Sequence, residues 1–315
     1  MQEPNACAIH LMLKITVAIC TYNRERYLNQ LFDSILAQTL DKSQFEVVLV
    51  NNNSPGNTKE LFSTFCSNNP EIQTVYSEEQ KQGLSHARNN AILLARAALI
   101  TFLDDDAFID TYYLENCVAA FSQNDKIDAV GGKILLHYES IIPAWENKYL
   151  NSLLGYFNLG DSSFLFSKNN YPRGSNMTFK VNVFDKVGSF NIALGRTDKS
   201  MIGGEEKELF DRIYKANLGV LYDPEIIVYH CVPVERTTST FIRRQAIGAG
   251  MSERVRTLSN GGALFFLRIL KEIYLWMASS VLWILFSLKL QFSKGNMILA
   301  FRWWLTQGLL GWKKE

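Results

Sequence analysis

The chain has 315 residues, of which 47% are hydrophobic, and carries 32 Lys and Arg against 31 Asp and Glu, a net charge of +1. That supplies a sizeable core and more than one average domain, and the even charge balance argues against a general nucleic-acid binder. The five cysteines (Cys7, Cys20, Cys66, Cys117, Cys231) stand at no metal or disulfide spacing, which fits a reducing compartment.

Residues 1–13 lack the basic start, apolar core and cleavage site of a signal peptide and are expected to form a flexible tail. Ile15–Cys20 is a short β-branched run, a buried strand, followed by Thr21-Tyr22-Asn23-Arg24. Leu28, Leu31, Phe32, Ile35 and Leu36 then line one face of a helix. Phe45–Val50 is the second strand and ends in the polar turn Asn51-Asn52-Asn53-Ser54-Pro55-Gly56. Residues 57–66 read as a helix and 72–76 as a third strand, and Gly83 opens another helix with Ser85 as its expected N-cap. The apolar run Ala98–Leu103 stops at Asp104, Asp105 and Asp106. Three adjacent carboxylates repel one another, and a divalent cation shared with a phosphate relieves that repulsion; a solvated acidic turn is the plainer reading. The alternation of strands and helices predicts an α/β domain with a mostly parallel sheet, helices on both faces and the ligand site at the strands' carboxyl ends. No Gly-x-Gly-x-x-Gly or Walker-type loop is present.

Further along, residues 128–136 read as a strand, and 139–171 are irregular and aromatic, either a functional loop or a satellite core. Residues 174–180 form a strand ending at Lys180, and Gly203-Gly204-Glu205-Glu206 opens a helix through Leu209, Phe210, Ile213 and Tyr214. Acidic residues are favoured in a helix's first turn whatever else they do. The apolar run 226–229 ends at His230. Residues 236–258 form a basic helix with Arg236, Arg243, Arg244, Arg254 and Arg256, suited to an anionic membrane surface or to a solvated face. Ile273–Leu288 is sixteen mostly apolar residues, short of the roughly 20 needed to span a bilayer upright. With Met297–Trp312 it predicts a hairpin lying in or dipping into one leaflet; burial against another copy of the chain is the alternative.

Four segments in order, Val17–Arg24, Val47–Ser54, Gly83–Asn89 and Phe102–Asp106, resemble family 2 glycosyltransferases of the GT-A fold. The resemblance continues through Gly174–Lys180 and Gly203–Leu209 and covers roughly 14–235, leaving 236–315 as a membrane-associating helical segment. It implies an inverting, metal-dependent transferase that uses Mn2+ or Mg2+ and a nucleotide-diphosphate sugar, UDP-linked by default. The implied acceptor is a saccharide or lipid-linked hydroxyl, and the implied setting is surface-polysaccharide synthesis at the cytoplasmic face of the membrane. By position, Thr21, Tyr22, Arg24, Asn51, Arg88, Asp104, Asp105 and Lys180 would bind donor, and Asp106, with Asp104 and His230, would hold metal. Glu206 would be the general base, with Glu205 positioning the acceptor. Arg88, Lys180 and His230 also have plain readings as exposed or structural side chains. At Asn51 the family commonly has aspartate, and an amide donates as well as accepts. A polyprenyl phosphate acceptor, which needs no strong base, and a non-catalytic membrane-bound scaffold are the other readings.

Overall fold

The computed structural model describes residues 13–167, 170–195, 204–259 and 261–312; residues 1–12 of the expected tail, with Cys7, and Gly203 lie outside the described residues. The chain forms two compact units. The first runs to Leu135 and resumes at Phe157–His230; the second comprises Leu136–Tyr156 and the chain from Cys231 onward.

In the first unit, strands β1 (Ile15–Thr21) and β2 (Phe45–Asn51) are buried at every position, so apolar residues are needed on both of their faces. Between them helix α1 (Glu25–Leu36) buries Tyr27, Leu28, Leu31, Phe32 and Ile35, the predicted stripe with Tyr27 added and Leu36 only half-buried. Full burial of a Leu or Ile side chain is worth about 1.5–3 kcal/mol. Helix α2 (Thr58–Asn68) adds Phe62 and Phe65, which pack on Phe32 at 5.9 and 4.6 Å between ring centroids. Strand β3 (Gln73–Glu78), helix α3 (Leu84–Leu94) and strand β4 (Leu99–Asp104) follow. The four strands pair in parallel in the order β3-β2-β1-β4. One charge is embedded among them: the fully buried Glu46 accepts from Thr16 Oγ1 at 2.7 Å and from Arg96 Nε at 2.6 Å.

Beyond β4 the sheet changes character. The chain continues through β5 (Ala107–Ile109), α4 (Tyr113–Ser122), β6 (Ile127–Tyr138), β7 (Phe164–Leu165), β8 (Met177–Lys180), α5 (Val183–Val187), α6 (Glu205–Lys215) and β9 (Gly219–Val232). The order is β4-β8-β6-β9-β5, with β7 also on β9, and the pairs β4·β8, β6·β8, β5·β9 and β7·β9 are antiparallel. The sheet is therefore mixed: parallel over β3-β2-β1-β4, where βα units alternate, and antiparallel at the pairs beyond β4. Ser85 is not the cap of α3. Gly83 holds that place, and the Ser85 hydroxyl donates to the Leu194 carbonyl at 2.7 Å.

The second unit has its own core. Trp145, Leu150 and Leu154 from the irregular segment pack with Val232, Ile242 and Ile298. The stretch 139–171 is thus part satellite core, while its Phe157 and Phe166 belong to the first unit's core. Three long helices follow: α7 (Ser239–Ser259), α8 (Gly262–Leu288) and α9 (Phe292–Leu310). Along α7, Ile242 and Ala246 are fully buried while Met251 is 50% exposed. Helix α8 extends the expected apolar segment backward through Arg268, Lys271 and Glu272. Glu272, 3% exposed, accepts from Arg268 at 2.8 Å, from Arg302 at 3.2 Å and from Thr306 at 3.0 Å, so Arg268 and Glu272 are paired inside the unit while Lys271 is exposed. The other side of α8 is bare: Leu264, Leu267, Tyr274, Met277, Val281 and Leu288 are 47–77% exposed.

Helices α7 and α9 cross at backbone contact. A Cβ on Gly250 would lie 2.1 Å from the Leu305 carbonyl oxygen, and one on Gly308 2.1 Å from that of Ile247. Gly248, two residues away, faces open space. Gly250→Ala is therefore expected to destabilise the second unit by about 1–3 kcal/mol through overpacking. Gly248→Ala is expected to stabilise it by up to about 1 kcal/mol, because alanine is the better helix former. Denaturant midpoints of the two variants check the opposite signs.

Candidate active site

The in-register carboxyl ends of the parallel strands gather the predicted residues. Thr21 pairs with Asn51 across β1·β2, and Cys20 with Asp104 across β1·β4. Left-handed Asn23 (φ 54°) and Asn53 (φ 65°) turn the chain sharply after β1 and β2, and the Asn23 N–H donates to Ser54 Oγ at 3.0 Å. Asn51, 7% exposed, accepts from the Ser54 N–H at 2.8 Å and donates through Nδ2 to the Tyr76 hydroxyl at 3.1 Å. Asn52 receives the Gly83 N–H at 2.8 Å and donates to the Glu79 and Lys81 carbonyls. That fixes the start of α3, the helix that carries Arg88.

The three aspartates have distinct surroundings. Asp104, 36% exposed in its side chain, faces Arg88 at 3.7 Å. Asp105 accepts from Thr21 Oγ1 at 2.8 Å and from the Tyr22 N–H at 3.2 Å. Burial and the adjacent Asp106 charge push the Asp105 carboxyl up to about 7, against the pull of Arg24 and Thr21. Asp106 receives a hydrogen bond from Arg24 on Oδ2 and has His230 Nε2 3.5 Å from Oδ1. The antiparallel pairing of β5 with β9, which sets Ala107 opposite His230, makes that approach.

Arg88 is 2% exposed. Its guanidinium lies 3.1 Å from Glu205, 3.4 Å from Glu206 and 3.7 Å from Asp104, and 5.3 Å from the Phe190 ring centroid. Burial works against its charge, and the carboxylates, Glu206 foremost, outweigh it. Glu205 and Glu206 open α6 after Gly204, which takes a left-handed φ of 108°. Burial raises the Glu206 carboxyl above the usual glutamate range, while Arg88 pulls it back. Gly174 explains how Arg88 and Glu206 come so close: a Cβ there would lie 2.0 Å from Glu206 Oε1 and 2.6 Å from an Arg88 amino nitrogen.

Lys180 is not brought to this cluster. It pairs with Leu99 at the far end of β4, about 17 Å along the strand from Asp104, and donates to the Asp125 carbonyl at 2.9 Å. Three neighbours escaped the sequence reading. Gly174 lay inside a noted segment without a role. Arg173, stacked on Tyr171 at 4.5 Å and close enough to Glu206 to lower its pKa, and Phe190 had no local signal.

Among the described residues no three His, Cys, Asp or Glu side chains form a ready metal cluster. Asp106 with His230 offers one oxygen and one nitrogen, with Asp104 at the neighbouring strand end. That partial set fits a hard cation whose remaining ligands are phosphate oxygens and water.

Over 252 residues the chain is 26% identical to the glucosyl-dolichyl phosphate glucuronosyltransferase of Haloferax volcanii, a match spanning 78% of each protein. It is 27% identical over 257 residues to the glycosyltransferase GlyA of Streptococcus pneumoniae, covering 79% of this chain but only 35% of that one. Among solved structures, the mannosyltransferase PcManGT of Pyrobaculum calidifontis with GDP-Man and Mn2+ superposes with a TM-score of 0.60 at 16% identity, over 95% of this chain and 88% of that one. Residues 1–349 of S. aureus TarS with UDP give 0.54 at 15%, over 96% and 93%. These likenesses show the GT-A fold. Residues 16–188, more than half of the chain, match Glycosyl transferase family 2, and the protein belongs to that family.

Proposed function

We propose that the protein transfers a sugar, with inversion, from a UDP-linked donor to a hydroxyl of a saccharide or lipid-linked saccharide in the synthesis of a surface glycoconjugate. The observation that carries this reading is the buried Arg88, which touches Asp104 on one side and the Glu205–Glu206 pair on the other. The Haloferax volcanii relative, whose name couples glucuronosyl transfer with glucosyl-dolichyl phosphate, supports the lipid-linked acceptor.

In this mechanism Glu206 accepts the proton of the acceptor hydroxyl, whose oxygen bonds to the anomeric carbon from the face opposite the diphosphate. The bond from that carbon to the diphosphate oxygen breaks, and the nucleoside diphosphate leaves with the electron pair. A single displacement of this kind inverts the anomeric centre. A carboxylate whose pKa lies above the ordinary glutamate range is the better base for a hydroxyl at neutral pH. Thr21, Tyr22 and Asn51 flank the nucleoside. Arg24 and Arg88 supply positive charge toward the diphosphate, and Asp105 fixes the β1 turn. Asp106 and His230 would hold Mn2+ or Mg2+, with Asp104 oriented to ribose or metal-bound water; the ion when bound neutralises charge on the departing diphosphate. Lys180 has no part. We place the second unit against the cytoplasmic face of a membrane. Among the described residues α8 alone is long and apolar enough to cross one, and only 11% of its most apolar window is buried.

Glu206→Gln is expected to keep nucleotide-sugar binding while turnover on a hydroxyl acceptor falls roughly 10²- to 10⁴-fold. Retained turnover would instead favour a polyprenyl phosphate acceptor. The pH profile carries a sign. The deprotonated form of Glu206 is active, so kcat should fall with decreasing pH on a limb lying above the ordinary glutamate range, and the residual rate of Glu206→Gln should lack that limb. For the cation, UDP should raise the unfolding midpoint more in the presence of Mn2+ than in its absence. Asp106→Asn should abolish that increment and Lys180→Ala should keep it; the opposite pattern in a thermal-shift assay overturns the assignment.

A further inference from the structure

The second unit contains a cleft of about 500 Å³ between residues 146–151 and the turn joining α8 to α9. Its lining divides by chemistry. Lys148, Lys289 and Lys294 bring three ammonium groups against one carboxylate, Glu146. Among the described residues none of the three lysines is paired with a carboxylate; Lys148 instead lies 5.3 Å from the ring centroid of Tyr149. Leu282, Leu285 and Phe286 form an apolar wall, and Tyr149 meets the Phe286 ring edge-on at 6.5 Å. Asn151, 8% exposed, also lines the cleft; its Nδ2 donates to Glu146, and its Oδ1 is buried without a hydrogen-bond partner. A buried amide oxygen left in that state is costly unless a donor reaches it. Along the same turn, Leu285, Leu288, Leu290 and Phe292 are 49–79% exposed.

Unpaired ammonium groups, an unanswered acceptor and a bare apolar rim match one kind of molecule: an amphiphile with a phosphate and hydroxyls in its head. We infer that this cleft binds the phosphate-bearing head group of an anionic membrane lipid. The lysines take the phosphate, Asn151 Oδ1 accepts from a head-group hydroxyl, and the acyl chains lie over Leu285, Leu288, Leu290 and Phe292. Lysine is a compact point charge on a long stem, suited to a phosphate whose depth in the membrane varies. The inference rests on the reading that the second unit meets a membrane, and it assigns the head-group selectivity to this cleft rather than to the arginines of α7.

Flotation of the full chain tests it, using phosphatidylcholine vesicles and vesicles in which about one lipid in five is phosphatidylglycerol. Wild type is expected to partition more strongly onto the anionic vesicles. Lys148→Ala/Lys289→Ala/Lys294→Ala should lose that preference, a drop on the order of a hundredfold, while binding to phosphatidylcholine alone stays unchanged. Arg243→Ala/Arg244→Ala on α7 should retain most of the preference. Circular dichroism and the unfolding midpoint confirm that the lysine variant is folded; the three lysines line an open cleft, and a folded variant that keeps the wild-type preference overturns the site. Equal flotation of wild type on both vesicles also overturns the site and leaves the membrane reading standing. Flotation with neither overturns both. Inorganic phosphate alone is expected to leave the midpoint unshifted; a lysine-dependent shift as large as that given by the anionic vesicles would replace the lipid with free phosphate and overturn the assignment.

Discussion

One buried cation organises the catalytic unit. Arg88 keeps its charge at 2% exposure only because Asp104, Glu205 and Glu206 surround it and the Phe190 ring packs beside it. A guanidinium is the side chain suited to this place, being always protonated and able to address several carboxylates from one plane. The dependence is mutual. Without Arg88, three acidic groups from two distant segments would face one another in a poorly solvated space, where leaving charges unpaired is strongly unfavourable. The supporting details follow from that constraint. Gly174 leaves no Cβ in the way, and Asn52 holds Gly83 so that α3 begins where Arg88 can reach β4.

The change from parallel to antiparallel pairing at β4 is what turns a row of strand ends into a site. Parallel β1, β2 and β4 bring Thr21, Asn51 and Asp104 to one edge, as open α/β sheets do. The antiparallel half returns the chain so that β9 delivers His230 beside Asp106. The aspartates then differ although they are consecutive. Asp105 turns inward to Thr21 and the Tyr22 amide, whereas Asp106 is held between Arg24 and His230. The tight turn between β4 and β5, which holds both residues, separates neighbours that composition alone treats as equal.

The second unit applies the same economy of charge to an apolar setting. Glu272 gathers Arg268, Arg302 and Thr306 on the inner side of α8 and α9, while the outer side of α8 exposes apolar residues with Lys271 among them. A buried carboxylate is tolerated on the inner side because partners inside the unit neutralise it. The same pairing lets Arg268 and Glu272, which would have ended an apolar segment, be carried within one 27-residue helix.

Much of the first unit was legible in the residues themselves. The β-branched runs at Ile15, Phe45 and Leu99 form strands, the stripe of Leu28, Leu31, Phe32 and Ile35 forms the inner face of α1, and the acidic cluster leaves β4 at its carboxyl end. These features depend on local periodicity and on which faces need burial, and both are written in consecutive residues. Ser85 was misread as a cap because its hydroxyl is taken by Leu194, a partner that no local pattern announces. Lys180 ends a strand, yet the antiparallel pairing of β8 points that end away from Asp104, and strand direction in a sheet is a property of the partner. The same limit hid Gly174 and Phe190, whose importance lies in what packs against them. Residue types, spacing and apolar pattern determined the elements and the chemical inventory. Only tertiary structure decided which carboxylate faces which cation, because those distances are set by pairings between segments far apart in the chain.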